Sequence, residues 1–157
     1  MKKFKLTSEF IVDISGVKLF RIKALIEFGN VKAGDLGGYI EKEENLSHMG
    51  NAWVSGNARV SGDAQVFGDA RVSGDKDYAY AHGFGSCNRT TTFFRLKDGD
   101  VGVRCGCFYG TLAQFRDNVC ETHGETKKAQ EYLMLADLME LRFEEDENEV
   151  GNRKYVE

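Results

Sequence analysis

The sequence predicts a mainly β chain wound around a short run of repeated strands, with a β-hairpin before it and an α/β lobe after it. Three observations carry that prediction. Gly50 to Asp75 reads GNAWVS-GNARVS-GDAQVF-GDARVS-GD, a six-residue repeat. A period of six fits neither a helix, about 3.6, nor an uninterrupted strand, so the chain must turn after each short extended piece. The chain ahead of the repeat alternates like paired strands, and the chain behind it passes from alternation to helical spacing.

Within the repeat, Gly50, Gly56, Gly62, Gly68 and Gly74 recur six apart, each followed by Asn or Asp. These residues tolerate positive φ and supply the corners. Ala and Val stand two apart in each unit, so on a strand they face the same side. Val60 and Val66 are therefore expected inside, with Ala58 and Ala64 on the same inner wall. Read as an aliphatic residue, a corner and a small residue, the unit resembles the hexapeptide repeat of left-handed parallel β-helices, over about Ile40 to Phe84. The resemblance implies a triangular coil of three units, about 18 residues, with coils about 4.8 Å apart. Ile40 and Leu46 fall in the phase of the alanine row and place the first coil there. Stacking 18 residues apart sets Trp53 over Arg71 and Met49 over Phe67.

Around the repeat, each element has its own signal. Phe10, Val12 and Ile14 alternate, Ser15-Gly16 is a turn, and Leu19 to Ala24 alternates again, which predicts a hairpin within Phe4 to Phe28. The glycine-rich passage Phe28 to Ile40 lacks both the GxGxxG spacing and the GK[ST] ending of phosphate-binding loops, and reads better as a cap on the coil. After Asp75 the repeat frays: Lys76 breaks the alanine row, and Gly83-Phe84-Gly85-Ser86 ends the coil. Thr91 to Leu96 and Val101 to Cys105 flank Asp98-Gly99, a strong hairpin signal. Thr111 and Gln114 form a capping-box signature for a helix carrying Leu112, Phe115 and Val119 and stopping near Gly124. A second helix is expected from about Thr126 to Phe143, with Ala129, Tyr132, Leu133, Ala136 and Met139 inward. The organisation predicted is a β cap at 1–39, the repeat at 40–86, a C-terminal hairpin and two helices at 87–143, and a charged tail at 144–157.

The string FGNVKAGDLGGYIEKEENLS followed by GNAWV is similar to small hexapeptide-repeat proteins common in bacteriophages and prophages, and Thr91 to Tyr132 resembles their C-terminal segment. The resemblance implies a phage accessory protein, with no activity transferable to single residues. Composition narrows the field further. A net charge of −4 argues against general nucleic-acid binding by phosphate neutralisation. No signal peptide and no membrane-length apolar run are visible, so the expected location is the cytoplasm of an infected bacterial host. There the four cysteines, Cys87, Cys105, Cys107 and Cys120, read as reduced thiols.

Four kinds of chemistry were weighed. Cys105 and Cys107 with Cys87, Cys120 or His123 could bind zinc, but the spacing is not CxxC and no second close pair exists, so free thiols are preferred and no metal or cofactor is expected. Cys120 and His123 could pair as nucleophile and base, or His123 could simply end a helix. Hexapeptide acyltransferases use a histidine base, and His48 and His82 are the candidates; both read better as cap residues. The best small-molecule site is a binding pocket formed by Arg89, Thr91, Arg95, Arg104, Phe108 and Thr111, because Arg, hydroxyl and aromatic groups suit a nucleotide-like anion. A solvated hairpin face with salt bridges to Glu or Asp is the reading preferred over it. For assembly, Met49, Trp53, Phe67, Leu135 and Leu138 are the expected interface of a homo-oligomer, a trimer favoured. The resulting expectation is a non-catalytic phage accessory binding protein that counters host defence by sequestering a nucleotide-like signal or binding a host protein. The alternatives are a hexapeptide-type acyltransferase and a structural oligomerisation module.

Overall fold

The computed structural model describes residues 2–84 and 89–144. Strands β1 (Phe4–Val12) and β2 (Lys18–Ala24) form the N-terminal hairpin, and β3 (Leu36–Ile40) pairs antiparallel with β2. The repeat contributes three strands of two residues each, β4 (Trp53–Val54), β5 (Arg59–Val60) and β6 (Arg71–Val72). Beyond it come β7 (Tyr78–Phe84), β8 (Arg89–Arg95), β9 (Val101–Cys105) and β10 (Phe108–Thr111), then helices α1 (Leu112–His123) and α2 (Lys127–Phe143).

These strands make three sheets: β1-β2-β3-β5, the parallel pair β4-β6, and the antiparallel β10-β9-β8-β7. The expected left-handed β-helix is corrected by this arrangement, for no closed solenoid forms among the described residues. Repeat strands do stack in parallel, Trp53 beside Arg71 and Val54 beside Val72, at a spacing of 18 residues. Ile40, however, pairs with Val60, and Leu46 bridges to Val66, a spacing of 20. Two additional residues therefore lie between Leu46 and Val54. They move Ile40 and Leu46 out of the alanine phase assigned from sequence and onto the valine row. Four clean units, three with a two-residue strand and one with a single bridge at Val66, offer few ladder bonds, so the flanking antiparallel strands take over the pairing at both ends. β3 carries β5, and the isolated bridge Ala70–Leu96 ties the last unit to the end of β8.

The corners follow the composition. Gly50, Gly56, Gly62 and Gly68 all have φ between 61° and 71°, whereas Gly74 is extended at φ −160° and the repeat stops there. The corner carbonyls are bound by side chains from outside the repeat. Asn45, fully buried, donates to Gly62 O at 3.0 Å and Ala64 O at 2.9 Å and accepts from the N–H groups of Glu41 and Lys42. Lys3 treats the equivalent corner alike, donating to Gly50 O and Ala52 O. Inside, Ala52, Val54, Ala58, Val60, Ala64, Val66, Ala70 and Val72 are wholly buried and merge with Phe4, Ile22, Ile40 and Phe94 into one core.

The four-stranded sheet lies between that core and the helices. Phe94 faces the repeat, and Thr92 accepts a hydrogen bond from Gln65 N at 2.9 Å. Phe93, Val103 and Cys105 face the other way, onto Phe115, Val119, Tyr132, Ala136 and Met139. The expected two-stranded C-terminal hairpin is thus a four-stranded sheet. Tyr78 to His82, read as a fraying repeat, alternates well enough to pair with β8, and Phe108 to Thr111 folds back on β9. Thr111 caps α1, its hydroxyl accepting from Gln114 N, and Gly124 ends it at φ 60°. Thr126 caps α2. Among the described residues no helix is long and apolar enough to cross a membrane. The tail beyond Glu144 lies outside the described residues.

Candidate functional site

The six residues expected to share a pocket are divided by strand alternation. Successive side chains on β8 point to opposite faces of the sheet, so its polar residues cannot all converge. Arg95, at the far end of the helix-facing side, donates to Phe143 O at 3.0 Å, lies 5.3 Å over the Phe143 ring and stands 3.5 Å from Asp77. It latches the end of α2. Arg104, on the repeat side, lies 4.5 Å over Phe67. Thr111 is engaged as the α1 cap. The remaining three, Arg89, Thr91 and Phe108, gather at the other end of the helix-facing side.

There a cleft of about 430 Å³ opens between the turn joining β9 to β10 and the facing ends of α1 and α2. Arg89 and Phe108 line it together with Cys105, Phe115, His123 and Tyr132. Its wall is a chain of rings. Phe108 meets Phe115 at 5.8 Å, Phe115 meets Tyr132 edge-on at 5.7 Å, and His123 stacks on Tyr132 at 5.7 Å. The floor is a buried polar relay: Thr91 Oγ1 donates to Cys105 Sγ at 3.3 Å, and Cys105 Sγ approaches the Tyr132 hydroxyl at 3.8 Å. Burial, and next the Cys105 thiol, push Tyr132 up to about 12, so it remains a neutral phenol with a hydrogen to donate. No carboxylate is among the described residues lining the cleft, and Arg89 supplies its fixed positive charge. Gly106 permits this, since Arg89 lies across the φ +59° turn where any Cβ would collide with its guanidinium.

From sequence, Tyr132 reads as core, and His123 as a partner of cysteines or the end of a helix. The available signal was a hydroxyl in an otherwise apolar stripe, one that needs a partner when buried. For the cysteines, Cys105 is buried, Cys107 and Cys120 are exposed, and Cys87 lies outside the described residues. Among the described residues no three His, Cys, Asp or Glu side chains are grouped to hold a metal ion. His48 stacks on Phe4 and accepts from Lys3 N at 3.0 Å, while His82 bonds Thr90 at 2.7 Å.

The residues expected at an interface are also dispersed. Trp53 is 5% exposed, packed edge-on against Phe28. Phe67 is covered within the chain by Tyr109, at 5.1 Å, and by Arg104. Leu135 packs against the helix core, whereas Met49 and Leu138 are exposed. Compared with known proteins, the chain matches no family model and no curated protein.

Proposed function

We propose that this chain is a non-catalytic binding protein whose C-terminal cleft takes a planar, anionic, nucleotide-like ligand. The observation that carries the reading is the pairing of Arg89 with a ring-walled cleft in which no described residue offers an opposing carboxylate. A guanidinium without a counter-charge favours a phosphate, rings favour an aromatic base by stacking, and the Tyr132 phenol offers a neutral donor. The biological purpose proposed, removal of a signal used in host defence, rests on the resemblance of the glycine-rich passage and the repeat to phage accessory proteins.

Calorimetric titration with cyclic nucleotides, ADP-ribose derivatives and acyl-coenzyme A tests this reading. Arg89→Ala should weaken a nucleotide-like ligand by about 10- to 100-fold, the loss of one charge-assisted hydrogen bond. Arg95→Ala should leave its affinity unchanged and lower stability instead. Binding of acyl-coenzyme A alone would favour the acyltransferase reading, and no binding in the panel would overturn the nucleotide reading. A second reading, homo-oligomerisation, is favoured by one feature: Met134, Leu138 and Leu141 form an exposed apolar stripe along α2. Light scattering at high micromolar concentration, repeated with Leu138→Arg, tests it; a monomer in both samples removes it.

A further inference from the structure

A second, separate site lies where the first repeat unit stacks on the last, and there a buried lysine and a half-buried arginine come together with no carboxylate of the described residues paired to either. Lys3 is almost wholly enclosed. Its ammonium is held by the carbonyls of Ala52, at 2.6 Å, and Gly50, and lies 4.6 Å from the centre of the Phe28 ring. Burial, and next the nearby charge of Arg71, lower its pKa to about 8. No carboxylate among the described residues raises it in return. Glu43, which reaches the neighbouring Lys2, is also held by His48.

Arg71 is the unusual member of the pair. Nε and Nη2 of its guanidinium are buried and have no hydrogen-bond partner. A guanidinium has five donors and cannot shed its charge, so enclosing it unpaired is costly. The Gly29 turn, at φ +53°, closes over it; a Cβ placed there would stand 2.8 Å from Nη2. The residue nevertheless lines a cleft of about 370 Å³, together with Asn30, Asp35, Trp53 and Ser55. Asp35 accepts from Lys32 N at 2.9 Å and adds one negative charge to the wall. Two cations and one carboxylate leave a single positive charge uncompensated.

We propose that the Arg71 cleft is a binding site for a singly charged oxyanion, a carboxylate or a phosphodiester, seated on the open edge of the guanidinium with Ser55 and Asn30 beside it. An anion there offsets the charge that the enclosed Nε and Nη2 leave unpaired and relieves the repulsion between Arg71 and Lys3. The carboxylate of Asp35 disfavours a dianion at the same place. This site lies apart from the C-terminal cleft, shares no lining residue with it and stands whether or not that cleft binds nucleotides.

Trp53 is the only tryptophan of the chain and lines this cleft, so its fluorescence reports on it directly. The wild-type chain is titrated with sodium acetate, dimethyl phosphate or sodium sulfate at constant ionic strength set by chloride. The expected result is a saturable emission change with acetate, dimethyl phosphate or both, and weaker binding of sulfate. Acetate alone identifies a carboxylate site and dimethyl phosphate alone a phosphodiester site. Arg71→Gln should raise the half-saturating concentration at least about tenfold, while Arg89→Ala leaves it unchanged. In the wild-type chain, NMR of the Lys3 ammonium should show its pKa rising when the anion is bound, a readout that needs no variant. Absence of saturation with both monoanions, tighter binding of sulfate, or an equal response in Arg71→Gln would each overturn the proposal.

Discussion

Lys3 should make the stability of this protein rise with pH through the alkaline range. In the unfolded chain its ammonium has the ordinary pKa of 10.5, while burial and then Arg71 lower it to about 8 in the folded protein. Between those values the unfolded state holds one proton that the folded state has released, so raising the pH favours folding. A fall of about 2.5 in pKa, at about 1.4 kcal/mol for each unit, amounts to about 3 kcal/mol. That increment is absent below about pH 8 and complete above about pH 10.5. Lys3→Met removes it. At pH 7 the substitution has two opposed effects, since it deletes a costly buried charge but leaves the carbonyl of Ala52 without its 2.6 Å donor. The absolute change at one pH is therefore a poor test, and the slope is decisive. Urea unfolding of both proteins in chloride buffers at pH 7, 8, 9 and 10 gives that slope directly. The stability difference between wild type and variant should shift by about 2–3 kcal/mol in favour of wild type across the series. Parallel profiles would refute the reasoning, showing that Lys3 is solvated and that its two carbonyl bonds do not enclose it.

Val66 is fully buried in the repeat core, so Val66→Asp should prevent cooperative folding, seen as loss of a sigmoidal thermal transition; an unchanged melting temperature would remove the inward assignment of the valine row. Gly68→Ala should cost about 1–3 kcal/mol, because its φ is +67° and Tyr109 occupies the space its methyl would need. Combining it with Tyr109→Ala should recover part of that loss in a double-mutant cycle, whereas strict additivity would mean that β10 does not rest on the corner. Thr111→Ala should lower stability by about 1 kcal/mol without changing ligand affinity, because its hydroxyl caps α1. A loss of affinity with intact stability would return Thr111 to the binding site.

The repeat was legible because its information is local. Glycine at the corners and valine on the inner wall need no distant partner to be recognised, and φ near +65° at Gly50 through Gly68 follows from composition. What the repeat alone could not disclose was its relation to the rest of the chain. The two additional residues between Leu46 and Val54 look in sequence like a continuation of the phase. Only the pairings of Ile40 with Val60 and of Leu46 with Val66 reveal the slip. Closure into a solenoid is likewise a cooperative property of many stacked units. Four units with at most two-residue strands, flanked by longer antiparallel strands that compete for the same hydrogen bonds, do not specify it.

The candidate site fails to be legible for a different reason, visible along β8. Arg89, Thr91, Phe93 and Arg95 share a face, as period-two alternation requires, yet that face is about 20 Å long at about 3.3 Å per residue. Arg89 and Arg95 therefore serve opposite ends of it. One guanidinium stands over the Gly106 turn beside Tyr132, and the other is spent on Phe143 and Asp77. Sequence proximity suggests a cluster because Arg89, Arg95 and Arg104 lie within 16 positions; alternation sends Arg104 to the opposite face, onto Phe67. The partners that complete the cleft, Phe115, His123 and Tyr132, come from helices whose spacing marks them as core. A tyrosine or histidine at the edge of an apolar stripe looks identical in sequence whether its polar atom meets a thiol, a solvent cleft or a ligand. Arg71 is harder still, for in sequence it is one of two arginines filling the same outward slot of the repeat unit. Arg59 sits beside Tyr39 on β3, whereas Arg71 lies under the Gly29 turn with Lys3 as its neighbour. The difference between an exposed arginine and one whose Nε and Nη2 are buried without a partner is set by what folds over it, and here that is a turn 42 residues earlier in the chain.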